Sequence, residues 1–163
     1  MNTVGFISLG CPKNQIDGEC LLALLDENGF EISDPYDGVD VVIINTCGFI
    51  ESAKKEAIEN ILDMAQLKGE GTIGKIVVTG CLAERYKEEI LTEIPEVDAV
   101  VGIGANGNIV EICKQVLAGE TVGKFPPKCE MPMNGKRILT TPEHYAYLKI
   151  ADGCNNRCTY CAI

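Results

Sequence analysis

Hydrophobic residues along this chain follow two spacings in turn, one typical of strands and one typical of helices. Short apolar runs rich in β-branched residues indicate strands that are buried on both faces of a sheet. Five such runs lie at 4–9, 30–32, 39–46, 75–79 and 98–101. Apolar residues that recur every three or four positions predict helices. Four such stretches lie at about 14–28, 52–68, 83–93 and 106–118.

This alternation through residue 119 predicts an α/β fold. Strands that alternate with helices form a parallel sheet with helices on both faces. Five strands favour the flavodoxin-like order 2-1-3-4-5, in which the first, third and fourth strands are neighbours. We therefore predict an N-terminal domain over residues 1–119, built on a parallel five-stranded sheet.

The pattern changes after residue 119. Four prolines and an Asn-Gly pair interrupt residues 120–144, which we interpret as a linker with a short strand near 137–140. Residues 144–151 then predict a new strand that leads into three closely spaced cysteines. We interpret 145–163 as the first strand of a truncated second domain, since a complete (β/α)₈ barrel takes roughly 200 residues or more.

Composition and charge narrow the classes of function. The 163 residues contain neither a secretory signal nor a continuous apolar run long enough to cross a bilayer, so we expect a cytoplasmic protein without a membrane partner. The net charge of −10 argues against a general nucleic-acid binder, which needs a basic surface. The acidic balance either attracts a basic macromolecule or serves solubility alone.

The cysteines near the end of the chain form the most specific motif. Nine cysteines without a secretory signal favour metal or catalytic roles over disulfides. Cys154, Cys158 and Cys161 have the spacing C-x3-C-x2-C. A structural zinc or an ordinary four-iron cluster takes four ligands, whereas a cluster held by three leaves one iron open to a substrate. The alternative is a zinc site with a distant fourth ligand, such as His144 or Cys129.

A second set of cysteines is dispersed along the chain. Cys11, Cys47 and Cys81 each follow a predicted buried strand directly. The carboxyl ends of parallel strands meet at one edge of a sheet, so the three sulfurs can converge there. Gly10 and Gly80 precede two of them and leave room for a bulky inorganic group. The alternative is that the three are separate, small buried hydrophobic residues.

The remaining signals are weaker. Cys20 and Cys113 lie on the apolar faces of predicted helices, which favours core positions. Cys129 lies in the linker, where it either has no ligand role or binds an incomplete cluster as an additional ligand. Gly102 and Gly104 follow a strand, but the fuller phosphate-binding motif is missing, and we interpret them as a turn.

Four segments resemble a known family. They are SLGCPKN at 8–14, NTCGFI at 45–50, VTGCLA at 78–83 and YAYLKIADGC at 145–154. The final cysteine triplet, with Tyr160 before its last member, resembles the radical S-adenosylmethionine (SAM) superfamily. In order and spacing, the segments resemble radical SAM methylthiotransferases over the whole chain. The LGCPKN form is similar to the RimO type of that family.

The resemblance implies two [4Fe-4S] clusters, each held by three cysteines. The implied ligands are Cys11, Cys47 and Cys81 for an auxiliary cluster and Cys154, Cys158 and Cys161 for the cluster that binds SAM. Tyr160 would lie near the SAM adenine, and no catalytic residue is implied beyond the ligands. One SAM would donate the methyl group, and a second would yield the radical that abstracts hydrogen from carbon.

The implied reaction adds a methylthio group to the β-carbon of an aspartate in a small-subunit ribosomal protein. A flavodoxin or ferredoxin would supply electrons, and these 163 residues alone are expected to be inactive. One alternative is a tRNA-adenosine methylthiotransferase with the same clusters, although the net charge argues against RNA binding through this part of the chain. Further alternatives are a non-catalytic iron–sulfur or metal-binding module and a flavodoxin-like nucleotide binder.

Overall fold

The computed structural model describes residues 1–127, 135–151 and 153–161, and its central element is a parallel six-stranded sheet in the order β2-β1-β3-β4-β5-β6. The strands are β1 (Thr3–Ser8), β2 (Glu31–Ser33), β3 (Val41–Thr46), β4 (Lys75–Gly80), β5 (Ala99–Val101) and β6 (Val122–Lys124). The helices are α1 (Pro12–Glu27), α2 (Glu51–Gly69), α3 (Cys81–Arg85), α4 (Lys87–Glu93) and α5 (Ile109–Leu117), with a 3-10 helix at Ile103–Asn108. Within the described ranges, no helix combines the length and apolar character needed to cross a bilayer.

Strand β3 is the centre of the core because it pairs with β1 on one side and β4 on the other. All six of its residues are buried, as expected for an apolar strand covered on both faces. Val42 and Ile44 pack into a cluster with residues of α2, α3 and α4. Val41 and Ile43 pack into the opposite cluster, with residues of α1 and α5. Successive side chains of one strand therefore hold helices against both faces of the sheet.

The predicted α/β class, the parallel sheet and the helices on both faces are confirmed. The predicted order 2-1-3-4-5 is also present, but the count of five strands was one too low. The sixth strand, β6, pairs in parallel with β5 inside the stretch that we interpreted as a linker. It has only three residues, one of them glycine, and no fully buried side chain. An edge strand of this kind carries no apolar run, so the periodicity could not indicate it.

One predicted helix, 83–93, is two helices in the structure. Helix α3 begins at Cys81 and ends before Tyr86, where the backbone leaves the helical conformation, and α4 follows at once. The beginning of α3 at Cys81 matters for the site, because it fixes this cysteine at a strand-to-helix turn.

The strands predicted near 137–140 and at 144–151 are absent from the described residues, and the interpretation of 145–163 as the start of a second domain stays a prediction. The described residues of both stretches have no strand assignment. A strand needs the backbone of a neighbour, whereas residues 135–151, here called the tail segment, bond mainly through side chains to helix α1. Residues 128–134, including Cys129, and residues 152 and 162–163 lie outside the described residues.

Glu19 of helix α1 is the main anchor of the tail segment. Its side chain is 1% exposed, and one carboxylate oxygen accepts hydrogen bonds from Arg137 Nη2 at 2.5 Å and Nε at 3.1 Å. The other oxygen accepts from the backbone N–H and the hydroxyl of Thr140, both at 2.9 Å. Burial by itself raises the pKa of Glu19, but these four donors outweigh it and hold the pKa below its ordinary value.

A second ion pair lies farther along the tail segment. Lys149 Nζ lies 2.6 Å from Asp17 Oδ1, and the two side chains are only 9% and 12% exposed. Arg137 also donates from Nη1 to the carbonyl of Tyr147 at 3.0 Å, which ties two parts of the segment together. Helix α1 therefore presents two acidic side chains that fix the segment leading to the last three cysteines.

Replacing Arg137 by Gln should lower the free energy of unfolding by about 2–4 kcal/mol, because it leaves the buried Glu19 carboxylate without its cation. Lys136→Gln is the matched control. Lys136 belongs to the same segment and pairs with Glu27 of the same helix, but its side chain is 82% exposed, so its loss should leave stability close to that of the wild type. Urea unfolding of the three proteins measures both effects. Equal stability of Arg137→Gln and Lys136→Gln would contradict the anchoring role of Glu19.

Candidate functional site

Three cysteines lie at the carboxyl ends of three neighbouring strands. Cys11 is the N-cap residue of α1 after β1, Cys47 follows β3 directly, and Cys81 is the first residue of α3 after β4. Strands β1, β3 and β4 are adjacent, so the three cysteines lie at one edge of the sheet, where open α/β folds bind ligands. Cys47 is buried, with 7% of its surface exposed, whereas Cys11 and Cys81 are exposed.

The loops that carry these cysteines are in contact. A Cβ atom placed on Gly10 would lie 2.9 Å from Cys47 Cβ and 3.4 Å from its Sγ, so the loop of Cys11 lies against Cys47. On the other side, a Cβ on Gly48 would lie 3.1 Å from the Cα of Leu82. Arg85 Nη1 also donates to the carbonyl of Gly48 at 3.2 Å. The loop of Cys47 therefore touches the loops of both other cysteines.

Two glycines allow this close approach. Gly10 has a φ of 129° and Gly80 a φ of 94°, values that L side chains rarely adopt. A side chain on Gly80 would also collide with the carbonyl oxygen of Thr46, the residue before Cys47. The glycines that precede Cys11 and Cys81 thus keep three turns close together. The neighbouring loop, rather than free space for an inorganic group, lies where their side chains would be.

Beneath the cysteines lies a layer of buried polar side chains that the sequence analysis did not single out. Asn14 Nδ2 donates to the carbonyls of Leu9 at 2.6 Å and Thr46 at 3.1 Å. Thr46 Oγ1 donates to the carbonyl of Thr79 at 2.5 Å, and Thr79 Oγ1 donates to Asn106 Oδ1 at 2.9 Å. The sequence contains one signal for this layer, namely the polar residues at the ends of two otherwise apolar strands.

The donor set at this edge fits an iron–sulfur cluster. Thiolates are the ligands that such clusters take, and three turns of the backbone present one each. Among the described residues, no group of three or more His, Cys, Asp or Glu side chains is arranged to hold a metal ion. A cluster attaches each thiolate to a different iron atom, so its ligands lie farther apart than the ligands of one ion.

The second triplet lies in one short loop. Cys154, Cys158 and Cys161 are all exposed, and the N–H of Cys161 donates to the carbonyl of Cys158 at 3.0 Å to close a turn. Arg157 has a φ of 50° at the bend between the first two cysteines. Tyr160, predicted to lie near the SAM adenine, is 90% exposed. The loop thus leaves three thiols and one aromatic ring accessible to a ligand.

His144, suggested as the fourth ligand of a zinc site, belongs to no group of three or more metal-binding side chains among the described residues. Its ring packs edge-on against Tyr145 at a centroid distance of 5.1 Å. Cys129, the other suggested ligand, lies outside the described residues. The core positions predicted for Cys20 and Cys113 are confirmed, since both side chains are buried. Burial raises the pKa of Cys113 to about 12, so this thiol stays protonated.

The turn predicted around Gly102 and Gly104 is a 3-10 helix. Its N-terminal amide, on Ile103, donates to Glu84 Oε2 at 3.0 Å. A carboxylate already occupies the place where a phosphate would bind, so the interpretation as a turn is preferred over a phosphate site.

Comparison with known proteins identifies a matching family and several proteins of similar sequence. Residues 3–102 match the family described as "Uncharacterized protein family UPF0004". Over 164 residues and the whole chain, identity is 49% to the ribosomal protein uS12 methylthiotransferase RimO of Thermoanaerobacter sp. (strain X514). It is 50% to the protein of the same name from Caldanaerobacter subterraneus subsp. tengcongensis and 44% to that from Clostridioides difficile. The chain spans 37% of the length of each of these curated relatives.

Replacing Gly10 by Ala should destabilise the protein and displace Cys47. The left-handed backbone costs about 1–2 kcal/mol, and the contact of the new Cβ with Cys47 adds about 1–3 kcal/mol. Gly71→Ala is the matched control, because Gly71 also has a positive φ, 76°, but has open space around it. Urea unfolding gives both costs, and alkylation kinetics report on the Cys47 thiol. If both variants lost the same stability, the contact between the two loops would be disproved.

Proposed function

This chain belongs to the UPF0004 family, and from that membership and its named relatives we propose that it is part of a radical SAM methylthiotransferase that modifies a ribosomal protein. The resemblance of the sequence to methylthiotransferases is confirmed by these relatives, which align along the whole chain. The protein would be a cytoplasmic transferase. Because the chain spans 37% of the length of such relatives, the activity belongs to the longer enzyme.

The observation that carries this proposal is the meeting of three cysteine loops at one edge of the sheet. Each loop follows one of three adjacent strands, and the middle loop touches both others. In this proposal Cys11, Cys47 and Cys81 hold an auxiliary [4Fe-4S] cluster. Together with the separate triplet near the end of the chain, the protein has two sites of three thiols each. An electron carrier normally has four protein ligands per cluster, so this count favours the enzyme.

The late triplet, Cys154, Cys158 and Cys161, would hold the cluster to which SAM binds, with Tyr160 beside the adenine. When bound, the two clusters and SAM supply the sulfur, the methyl group and the radical that the reaction needs. The residues of the chain hold and orient these groups. Cys47 is buried, so it binds its cluster from the protein side, while the exposed Cys11 and Cys81 border the face that a substrate can approach.

The proposed substrate is an aspartate β-carbon of a small-subunit ribosomal protein. The relatives are named for the ribosomal protein uS12, and proteins that bind ribosomal RNA carry basic surfaces. A net charge of −10 attracts such a protein and repels RNA. A flavodoxin or ferredoxin is the proposed electron donor.

Anaerobic loading with ferrous iron and sulfide should place iron at the auxiliary site in a protein whose late triplet is replaced by Ser. Adding Cys47→Ala should remove most of this iron, because two thiolates hold a cluster poorly. Cys113→Ala is the control, since it also removes a buried cysteine but one packed in the core. Iron and sulfide analysis measures the result. Unchanged iron content in the Cys47→Ala protein would refute the auxiliary site.

The substrate is tested with the full-length enzyme, SAM, a reductant and either uS12 or a transfer RNA. We expect mass spectrometry to show sulfur plus a methyl group added to an aspartate of uS12. A uS12 variant with Asn at that aspartate should remain unmodified. Modification of an adenosine in the RNA, with uS12 untouched, would show that the substrate assignment is wrong while leaving the cluster assignments intact.

A further inference from the structure

Equivalent positions in the three cysteine loops are tied together by hydrogen bonds. Leu9, Asn45 and Thr79 each stand two residues before a cysteine. Asn14 Nδ2 donates to the carbonyl of Leu9 at 2.6 Å, and the Leu9 N–H donates to the carbonyl of Asn45 at 2.9 Å. Thr46 Oγ1 donates to the carbonyl of Thr79 at 2.5 Å. Two side chains thus connect the backbone just before all three cysteines.

These bonds lie in the protein interior. Asn45, Thr46 and Thr79 are fully buried, and Asn14 is 5% exposed. Buried polar groups cost stability unless they are hydrogen-bonded, and an apolar residue at the end of a buried strand would avoid that cost. Three polar residues at the buried ends of β3 and β4 therefore call for a reason beyond packing.

The side-chain amide of Asn45 connects strand β3 to helix α1 through its nitrogen atom. Its Nδ2 donates to the carbonyl of Asn14 at 2.8 Å, so that helix α1 and strand β3 exchange bonds in both directions. Its Oδ1 has no hydrogen-bond partner among the described residues although it is buried. An unpaired buried oxygen costs stability, and the Nδ2 bond to α1 offsets part of that cost while it holds the Asn45 amide in one orientation.

Thr46 acts on the third loop in a second way. The backbone N–H of Ala83 points to Thr46 Oγ1 at 3.4 Å. Ala83 belongs to α3, a helix of only five residues that begins at Cys81. A single hydroxyl thereby bonds the end of β4 and also contacts the helix that follows it, on either side of Cys81.

We propose that Asn14 and Thr46 are positioning residues that hold the loops of Cys11, Cys47 and Cys81 in register before an iron–sulfur cluster binds. This inference rests on the proposed function, because it assumes that the three thiols share one cluster. A preorganised set of ligands retains a metal group better, since binding does not have to order the loops first.

The experiment uses the 163-residue chain with Cys154, Cys158 and Cys161 replaced by Ser, so that bound iron reports on the other site alone. Thr46→Val removes the hydroxyl and keeps the shape of the side chain. Thr46→Ser keeps the hydroxyl. Thr92→Val is the matched control, because the Thr92 hydroxyl donates to the carbonyl of Glu88 on the exposed side of α4, away from the cysteines.

Each protein is loaded with ferrous iron and sulfide without oxygen, and the release of iron to a chelator is timed. Thr46→Val should release iron about tenfold or more faster than the parent, the usual effect of losing a bond behind a metal ligand. Thr46→Ser and Thr92→Val should release it at nearly the parent rate. In the metal-free protein, Thr46→Val should also make Cys47 react faster with iodoacetamide, as followed by peptide mass spectrometry.

Asn14→Ala provides a second variant should Thr46→Val fail to fold, because Ala is well accepted in a helix. It removes the donor to Leu9 and Thr46 and should likewise speed iron release. Folded variants that release iron at the parent rate would overturn the positioning role while leaving the cluster in place. A parent protein that loads no iron would instead overturn the proposed function, and this inference with it.

Discussion

Parallel pairing of β3 with both β1 and β4 is the constraint on which the rest of the structure depends. Because the three strands run in the same direction and in continuous register, they end at one edge, and the next residues begin three adjacent turns. The turns carry Cys11, Cys47 and Cys81. An antiparallel neighbour would have placed one of these cysteines at the far end of the sheet. The geometry of the candidate site is thus inherited from the strand directions.

Helix α1 connects this edge to the rest of the chain. It begins next to Cys11, its first turn contributes Asn14 to the buried polar layer, and its next turns contribute Asp17 and Glu19 to the tail segment. Polar residues on the buried side of a helix usually weaken it, and here each finds a specific partner. The resulting helix has no simple division into an apolar and a polar face.

Much of the fold could be predicted from the sequence, because β-branched runs such as 39–46 and the helical stripes between them reflect local burial. The position of the first three cysteines followed from strand ends alone. The sequence could not indicate β6, which has no buried run, nor the partners of Glu19, since Arg137 and Thr140 lie more than a hundred residues away. The strand expected at 144–151 is absent from the described part of the chain. The alternation of apolar and polar residues indicates which side chains are suited to burial, and it does not show whether a neighbouring strand is available for backbone hydrogen bonds. The roles of the six cysteines as ligands remain predictions.

The docking of the tail segment on Glu19 and Asp17 has a consequence for how this architecture can be recombined. Strand β6 completes the edge of the sheet, and the tail segment pairs with the acidic side chains of α1. A segment transferred into another protein therefore has to extend at least to Lys149. A chimaera joined directly after α5 would graft the cysteine edge without the cations that neutralise α1. Such a transplant would carry the carboxylates of Asp17 and Glu19 into its new host without Lys149 and Arg137, and compatibility would depend on whether the host supplied basic side chains at matching points.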